Sequence, residues 1–495
     1  MKKLTDFPDA HLRIFDRPAP PEPGSLRDVH LVGICGTGMG SLAGLMKEAG
    51  YAVRGSDQNV YPPMSTRLAE MDIPVAKGFS ADNLRPAPDL VIVGNACTPT
   101  HPEAACAREQ GLTQLSMPET LAHFFLNDAT SLVVAGTHGK TTTTGMLAHV
   151  LRSAGLDPGF LVGGVMVNGN VSYAVGGGKR FVIEGDEYDS AYFDKRPKFM
   201  HYVPSSAIVT SMEFDHADIY SDWDDYRTAF EAFASTVAAD GILVLCADEA
   251  PVRALAEHTR ATVRTYGLDG DWDVTATDIS PVEGGQQFTL IVGGKAEASI
   301  MLPMSGRHNL RNALAVSAIS LHEGVSPQAL ADGFASFEGM KRRQEVRGEA
   351  AGVLVIDDFA HHPTAVRETT RAVRERWPSR RLVAVFEPRS NSSRRKLFEA
   401  PYGEAFDAAA RVFISTPPFR HNDDPSRFMD TDAVVATIRA RGAEASQHAG
   451  ADDVLPALLD AVTPGDVVLI MSNGGFGNIH VRLLDALSQR AGASP

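Results

Sequence analysis

The stretch Ser131–Gly155, SLVVAGTHGKTTTTGMLAHVLRSAG, passes from an apolar run through a glycine turn into a segment with helical spacing. SLVVA reads as a buried strand, Gly136-Thr137-His138-Gly139 as the turn, and the residues from Lys140 onward as a helix. Successive backbone N–H groups at a helix N-terminus cradle an anion, a lysine there neutralises β/γ-phosphate charge, and a hydroxyl reaches magnesium. Lys140 and Thr141 fit the last two roles, with Thr142 completing the cradle. The usual spacing would put a glycine where Val134 stands, so the loop is a compact variant. A turn with a capping threonine is the plain alternative; the agreement of strand, loop, lysine, hydroxyls and helix favours a phosphate site.

Upstream, VHLVGICGTGMGSLAGLMKEAGYAVRGSD (29–57) repeats the strand–turn–helix–strand pattern, with Asp57 closing the second strand. Its glycines fall as GxxGxG rather than GxGxxG, which weakens a dinucleotide reading, leaves a nucleotide diphosphate open, and leaves open a turn needed only for close packing. Downstream, FVIEGD, SAIVTSME and GILVLC read as further strands of a mostly parallel sheet, and VLVIDD, RLVAVFEP, RVFIST and DVVLIMSN as those of another doubly wound unit. The expected fold is therefore α/β in three domains: Rossmann-like at the N-terminus, P-loop ATPase-like with a mostly parallel sheet in the centre, Rossmann-like at the C-terminus. We place an N-terminal extension at 1–28, the domains at 29–127, 128–345 and 346–495, and a linker at KRRQEVRGEAAG (341–352).

Length agrees, since 495 residues suggest about three domains. The formal net charge of −15 disfavours nucleic acid and anionic lipid as partners, so an anionic ligand must be held by local groups. Four dispersed cysteines suggest neither a zinc ribbon nor a disulfide framework, no apolar run is long enough for a membrane span, and the N-terminus lacks a secretory apolar core. A cytoplasmic location is expected.

Glu184-Gly-Asp-Glu-Tyr-Asp189 follows the strand FVI and places a carboxylate, Glu184, where a nucleotide site needs a hard oxygen ligand for Mg2+. Met212–Asp218, MEFDHAD, sets His216 among acids at another strand end, as a ligand or as a hydrogen-bonded loop residue. Asn309 and Asn312 lie three apart at a helix start, where capping is one role. Arg389, Ser390 and Asn391 follow the strand RLVAVFE, and Ser472 and Asn473 follow the last strand, at the ends where open α/β sheets bind ligands. Arg394, Arg395 and Lys396 read as a solvated helical face.

Two nucleotide-type loops followed by a third α/β unit, with GTHGKTTT, EFDHADIY, DDFAHHPTAV, EPRSNS and MSNGGFG, resemble the Mur ligase family, ATP-dependent amide-bond synthetases of peptidoglycan assembly. The resemblance implies ATP and Mg2+, with Thr141, Glu184 and His216 on metal, Lys140, Glu184, His216 and Asp358 catalytic, and Asn309, Asn312, Arg342 and His361 on ATP. It assigns Gly36, Thr37, Gly38, Met39 and Asp57 to a UDP-sugar, and Arg389, Ser390, Asn391, Ser472 and Asn473 to a peptide. The family often has a carbamylated lysine after the histidine motif; residues 212–241 contain no lysine, and Phe230 falls at that position. The implied reaction activates the carboxylate of UDP-N-acetylmuramate as an acyl phosphate, which a peptide amine then attacks. NVYPPMST and SNGGFG favour the murein tripeptide L-alanyl-γ-D-glutamyl-meso-diaminopimelate as the amine; L-alanine is the alternative, and a nucleotide-binding protein without ligase activity is a third reading.

Overall fold

The computed structural model describes residues 3–61, 64–418 and 425–492. Pro62 and Pro63 of the NVYPPMST motif lie outside them. Three sheets carry the architecture. The first joins β1 (Asp28–Val32), β2 (Ala52–Asp57), β3 (Val75–Lys77), β4 (Leu90–Val93) and β5 (Gln114–Ser116) in the order β3-β2-β1-β4-β5, all parallel. The glycine turn after β1 feeds the helix Thr37–Glu48.

The central sheet has ten strands. Its parallel centre comprises β6 (Thr130–Ala135), β7 (Gly159–Leu161), β9 (Arg180–Gly185), β12 (Ser206–Val209), β13 (Ile242–Cys246) and β14 (Thr262–Tyr266), with β8 (Tyr173–Ala174) antiparallel on β7. Strands β6, β12 and β13 are buried along nearly their whole length, which explains their unbroken apolar sequences. Beyond β14 the sheet continues through β15 (Val274–Val282), β16 (Gly285–Val292) and β17 (Lys295–Leu302), an antiparallel meander. A separate hairpin, β10 (Asp189–Ala191) and β11 (Asp194–Pro197), leaves the central unit just after β9. Its turn buries Tyr192 and Phe193 in one apolar cluster with Val32, Val91 and Val93 of the first sheet.

The third sheet runs β18 (Glu345–Ala350), β19 (Val353–Asp358), β23 (Asp466–Ser472), β20 (Arg381–Glu387), β21 (Arg411–Ser415) and β22 (Glu444–His448), parallel except for β18. The segment 341–352, expected as a linker, supplies β18: Val346 pairs with Ile356 across an antiparallel ladder. Its charged residues misled because an edge strand tolerates polar side chains.

A polar knot fixes the first unit. Glu103, wholly buried, accepts from Ser56 Oγ at 2.6 Å and Asn83 Nδ2 at 2.7 Å, and lies 3.0 Å from His30 Nε2. Burial pushes its carboxyl pKa up, but the bonds from His30, Ser56 and Asn83 outweigh burial and leave it below the usual value. Glu103→Ala strands the buried His30 and Ser56 and the half-buried Asn83 at once and is expected to destabilise the first unit by about 3 kcal/mol, read as an earlier first transition in urea unfolding.

Candidate functional site

The loop after β6 is held open by its glycines and pinned from behind. Gly136 and Gly139 have φ of 130° and 81°. A Cβ at Gly136 would sit 2.1 Å from Thr210 Oγ1, and one at Gly139 2.8 Å from Asn312 Oδ1. Ser211 accepts from Thr137 N (3.0 Å, by its carbonyl) and His138 N (2.8 Å, by its hydroxyl). Lys140 Nζ curls back to Gly136 O (2.5 Å) and to both carboxylate oxygens of Glu187 (2.8 and 3.0 Å). Burial lowers the lysine pKa, but Glu187 and Asp186 outweigh it and hold the ammonium charged.

Thr141 Oγ1 donates to Glu184 Oε2 at 3.2 Å, and Gly163 N to Glu184 Oε1 at 2.5 Å. Burial raises the Glu184 pKa despite these bonds and the nearby Lys140 and Arg343. His216, expected with this pair, belongs to a second cluster: its Nε2 lies 3.2 Å from Glu187 Oε1, and ligand atoms of Asp186, Glu187 and His216 all fall within 4.8 Å of one another. Burial opposes protonation of His216, but Glu187 and Asp215 raise its pKa to about 9. Two donor sets rich in carboxylate oxygens suit hard divalent cations, although Lys140, Lys198 and His216 already meet the charge of the second. The pattern Glu184-x-Asp-Glu contained Asp186 and Glu187, yet sequence reasoning chose only its first carboxylate. Phe230 is buried against Phe199 and Tyr226 and offers no ligand.

A cavity above the loop is lined by His138, Gly139, Thr142, Asn309, Asn312, Arg343, Gln344 and Asp358. Asn309 Nδ2 donates to Ser305 O (2.8 Å) at the helix start, while Asn312 abuts Gly139. His308 Nδ1 and Gln344 Oε1, on residues of the same wall, are buried without a partner and are open to a polar ligand. Asp358 accepts from Gln344 N and Ala360 N, both at 2.7 Å, and so fixes the turn presenting Arg343. Arg343 Nη2 reaches Thr141 Oγ1 at 3.4 Å. Arg342, the residue expected here, instead donates to Ser472 O (2.6 Å) and Gly474 O (2.7 Å). Its left-handed backbone, φ 59°, turns the two neighbouring arginines to opposite destinations.

His361 also departs from the expected place. It lines a second cavity, of about 410 Å³, together with Asp215, His216, Arg389, Ser390, Asn391 and Asn473. Asn473 Oδ1 is buried there without a partner. Asn391 Nδ2 and Tyr188 Oη both donate to Asp218 Oδ2, at 3.0 and 2.6 Å. Ser472 is buried and donates to Glu387, so it supports the strand end instead of lining the cavity. Arg394 is 4% exposed and donates to Pro418 O at 2.8 Å; it is a buttress of the Ser390 loop and not a solvated face. The loop between β12 and the helix Trp223–Thr236 lines both cavities, the first with Thr210 and Ser211 and the second with Asp215 and His216, and it also carries Glu213. Glu213 binds His138 Nε2 at 2.6 Å and accepts from Thr364 Oγ1 at 3.0 Å, tying the phosphate loop to the third unit.

In the first unit Gly36 and Thr37 are exposed at the helix start, with Gly38 half-buried beside them and Met39 packed beneath. Asp57 accepts from Cys35 N and Asn59 N, each at 2.9 Å, and thereby shapes the loop.

An ordered series of family models covers this layout: the Mur ligase family catalytic domain at 28–128, the Mur ligase middle domain at 134–320 and the Mur ligase glutamate ligase domain at 342–474. The chain belongs to the Mur ligase family, ATP-dependent ligases that form a C–N bond. It is 38% identical over 474 residues, 94% of this chain and 99% of the other, to the UDP-N-acetylmuramate–L-alanyl-γ-D-glutamyl-meso-2,6-diaminoheptandioate ligase of Escherichia coli strain K12. It is 35% identical over 470 residues, 94% of this chain and 96% of the other, to the UDP-N-acetylmuramate–L-alanine ligase of Chlorobaculum tepidum. The crystal structure of a murein peptide ligase from Psychrobacter arcticus is similar with a TM-score of 0.71 at 35% identity, covering 93% of this chain and 99% of that one.

The divergence of the two arginines is testable. Arg343→Ala is expected to lower ATP-dependent turnover about a hundredfold or more, and Arg342→Ala less than about tenfold, in steady-state assays of ADP release.

Proposed function

We propose that this chain joins the tripeptide L-alanyl-γ-D-glutamyl-meso-diaminopimelate to UDP-N-acetylmuramate at the expense of ATP, as a cytoplasmic enzyme of peptidoglycan recycling. The observation that carries the reading is the Lys140–Glu187–His216 chain of ion pairs, which runs from the loop lining the first cavity to a residue lining the second, in a chain similar end to end to a ligase of that name. Among the described residues no helix is long and apolar enough to cross a membrane.

The N–H groups at the start of the helix Lys140–Ser153 and the Lys140 ammonium, held by Gly136 O and Glu187, border the place for the triphosphate. Its positive charge screens the repulsion between phosphate and the muramoyl carboxylate, and stabilises charge that builds during transfer. Thr141 with Glu184, and Asp186 and Glu187 with His216, would hold Mg2+, which supplies further charge neutralisation when bound. Asn312 and Gln344 border the nucleotide cavity, and Arg343 adds a cation from the third unit. The resulting acyl phosphate is hydrolysable, and the Glu213–Thr364 contact keeps the third unit closed over the loop where water must be excluded. Arg389, Asn391 and Asn473 stand on the far wall of the second cavity and suit the carboxylates and amides of a peptide.

The similarity to L-alanine ligases keeps the alternative amine in view. ADP release is measured with ATP, Mg2+ and UDP-N-acetylmuramate, with the tripeptide in one assay and L-alanine in another. Tripeptide-dependent release with the matching product mass is expected; release with L-alanine alone overturns the assignment. Lys140→Ala is expected to reduce turnover by about a thousandfold while calorimetry still detects UDP-N-acetylmuramate binding, because the two ligands are held by different units.

A further inference from the structure

The segment ahead of residue 28 lies outside the family models, yet it is bound into the structure. Arg17 makes a bidentate pair with Glu119 of the first unit (2.9 and 3.0 Å), donates to Gln114 O at 3.1 Å, and rests 4.3 Å from the centre of the Phe193 ring. Arg13 donates to Tyr192 O at 3.2 Å, and Phe15 stacks on the Tyr192 ring at 6.2 Å. Arg108, from the first unit, donates to Leu12 O at 3.3 Å. The segment thus grips both the first unit and the β10–β11 hairpin inserted into it.

At its head the strap reaches a cavity. Phe7, with Arg13 4.1 Å from its ring centre and Lys195 5.7 Å from it, walls a space of about 470 Å³ together with Asn95 and Ala96 after β4, Asp189 and Lys195 of the hairpin, and Tyr188 and Asp218. Tyr188 and Asp218 also line the cavity that contains His216, so the two spaces adjoin. Resting on the function proposed above, a UDP-sugar with its diphosphate at the Gly36 helix start and its carboxylate near Lys140 and His216 must pass its carbohydrate between these points. We infer that the N-terminal strap completes the sugar-binding cavity, with Phe7 supplying an apolar wall beside Lys195, whose ammonium is paired with Asp189.

The physical argument is preorganisation. A wall contributed by a chain segment already fixed by Arg13, Phe15 and Arg17 orders nothing on binding, so its contact with the sugar goes into affinity. The cavity above the loop after β6 shares no lining residue with the one walled by Phe7.

The full-length chain and its Phe7→Ala and Phe7→Leu variants are compared by steady-state kinetics and by calorimetric titration with UDP-N-acetylmuramate alone. For Phe7→Ala we expect about a tenfold rise in KM and Kd for the UDP-sugar, an unchanged KM for ATP and an unchanged melting temperature, with Phe7→Leu recovering most of the loss. Arg17→Ala, which frees the anchor, is expected to weaken sugar binding and lower the melting temperature together. Unchanged UDP-sugar binding in Phe7→Ala overturns the inference, as does a parallel rise in both KM values. Tripeptide-dependent turnover by the unmodified chain sustains the function whichever way the variants fall; failure of that chain to bind the UDP-sugar overturns function and inference together.

Discussion

Glu187 is the constraint around which the site is built. Its side chain is fully buried, pairs with Lys140 and His216, and leaves the strand region where the hairpin begins. A carboxylate in such a place is tolerable only with partners, and Lys140 and His216 come from separate loops that must both be in register for the charge to be met. The phosphate loop is therefore positioned from below by an ion pair as well as from behind by Ser211. Asp186, beside it, is met by Lys198 at 2.6 Å. Acidic residues thus hold the cation of the loop in place while leaving Glu184 underneutralised.

The third unit joins the second through small polar contacts, whereas one apolar cluster runs through the first and second units. The third sheet has its own apolar clusters, and its links to the phosphate loop run through Glu213, Thr364 and the Arg343 turn. Interfaces of that kind are the ones that move between states, whereas the hairpin buried in the first unit is not. Opening between the second and third units would separate Arg343 from Thr141 without disturbing the Lys140–Glu187 pair.

Much of the fold was legible where a strand is buried on both faces, because the sequence there is an uninterrupted apolar run, although the buried β4 was not read. β6, β12 and β13 were plain for that reason; β15 was missed because it is largely exposed along its middle and shows no such run. The turn between β6 and the helix Lys140–Ser153 was legible because its glycines interrupt an apolar run just ahead of a helical pattern. Arg343 and Glu187 were not, since adjacent residues of the same type compete for the same reading and only the backbone decides between them. A positive φ at Arg342 and the short hairpin after Glu187 leave no compositional trace. His361 and His362 illustrate the same limit: one lines the cavity that contains His216, the other caps the helix Pro363–Arg376 beside Glu213.

The inserted hairpin has a consequence for how the chain can be divided. The family model for the first unit ends at residue 128, but the apolar surface of β1 and β4 is closed by Tyr192 and Phe193, more than sixty residues later in the chain. Excised at that boundary, the first sheet would show bare hydrocarbon to water, a sticky face prone to self-association. The piece of chain that homology delimits and the piece that can stand alone are therefore different objects, and severing one from the other would require carrying the hairpin across the cut.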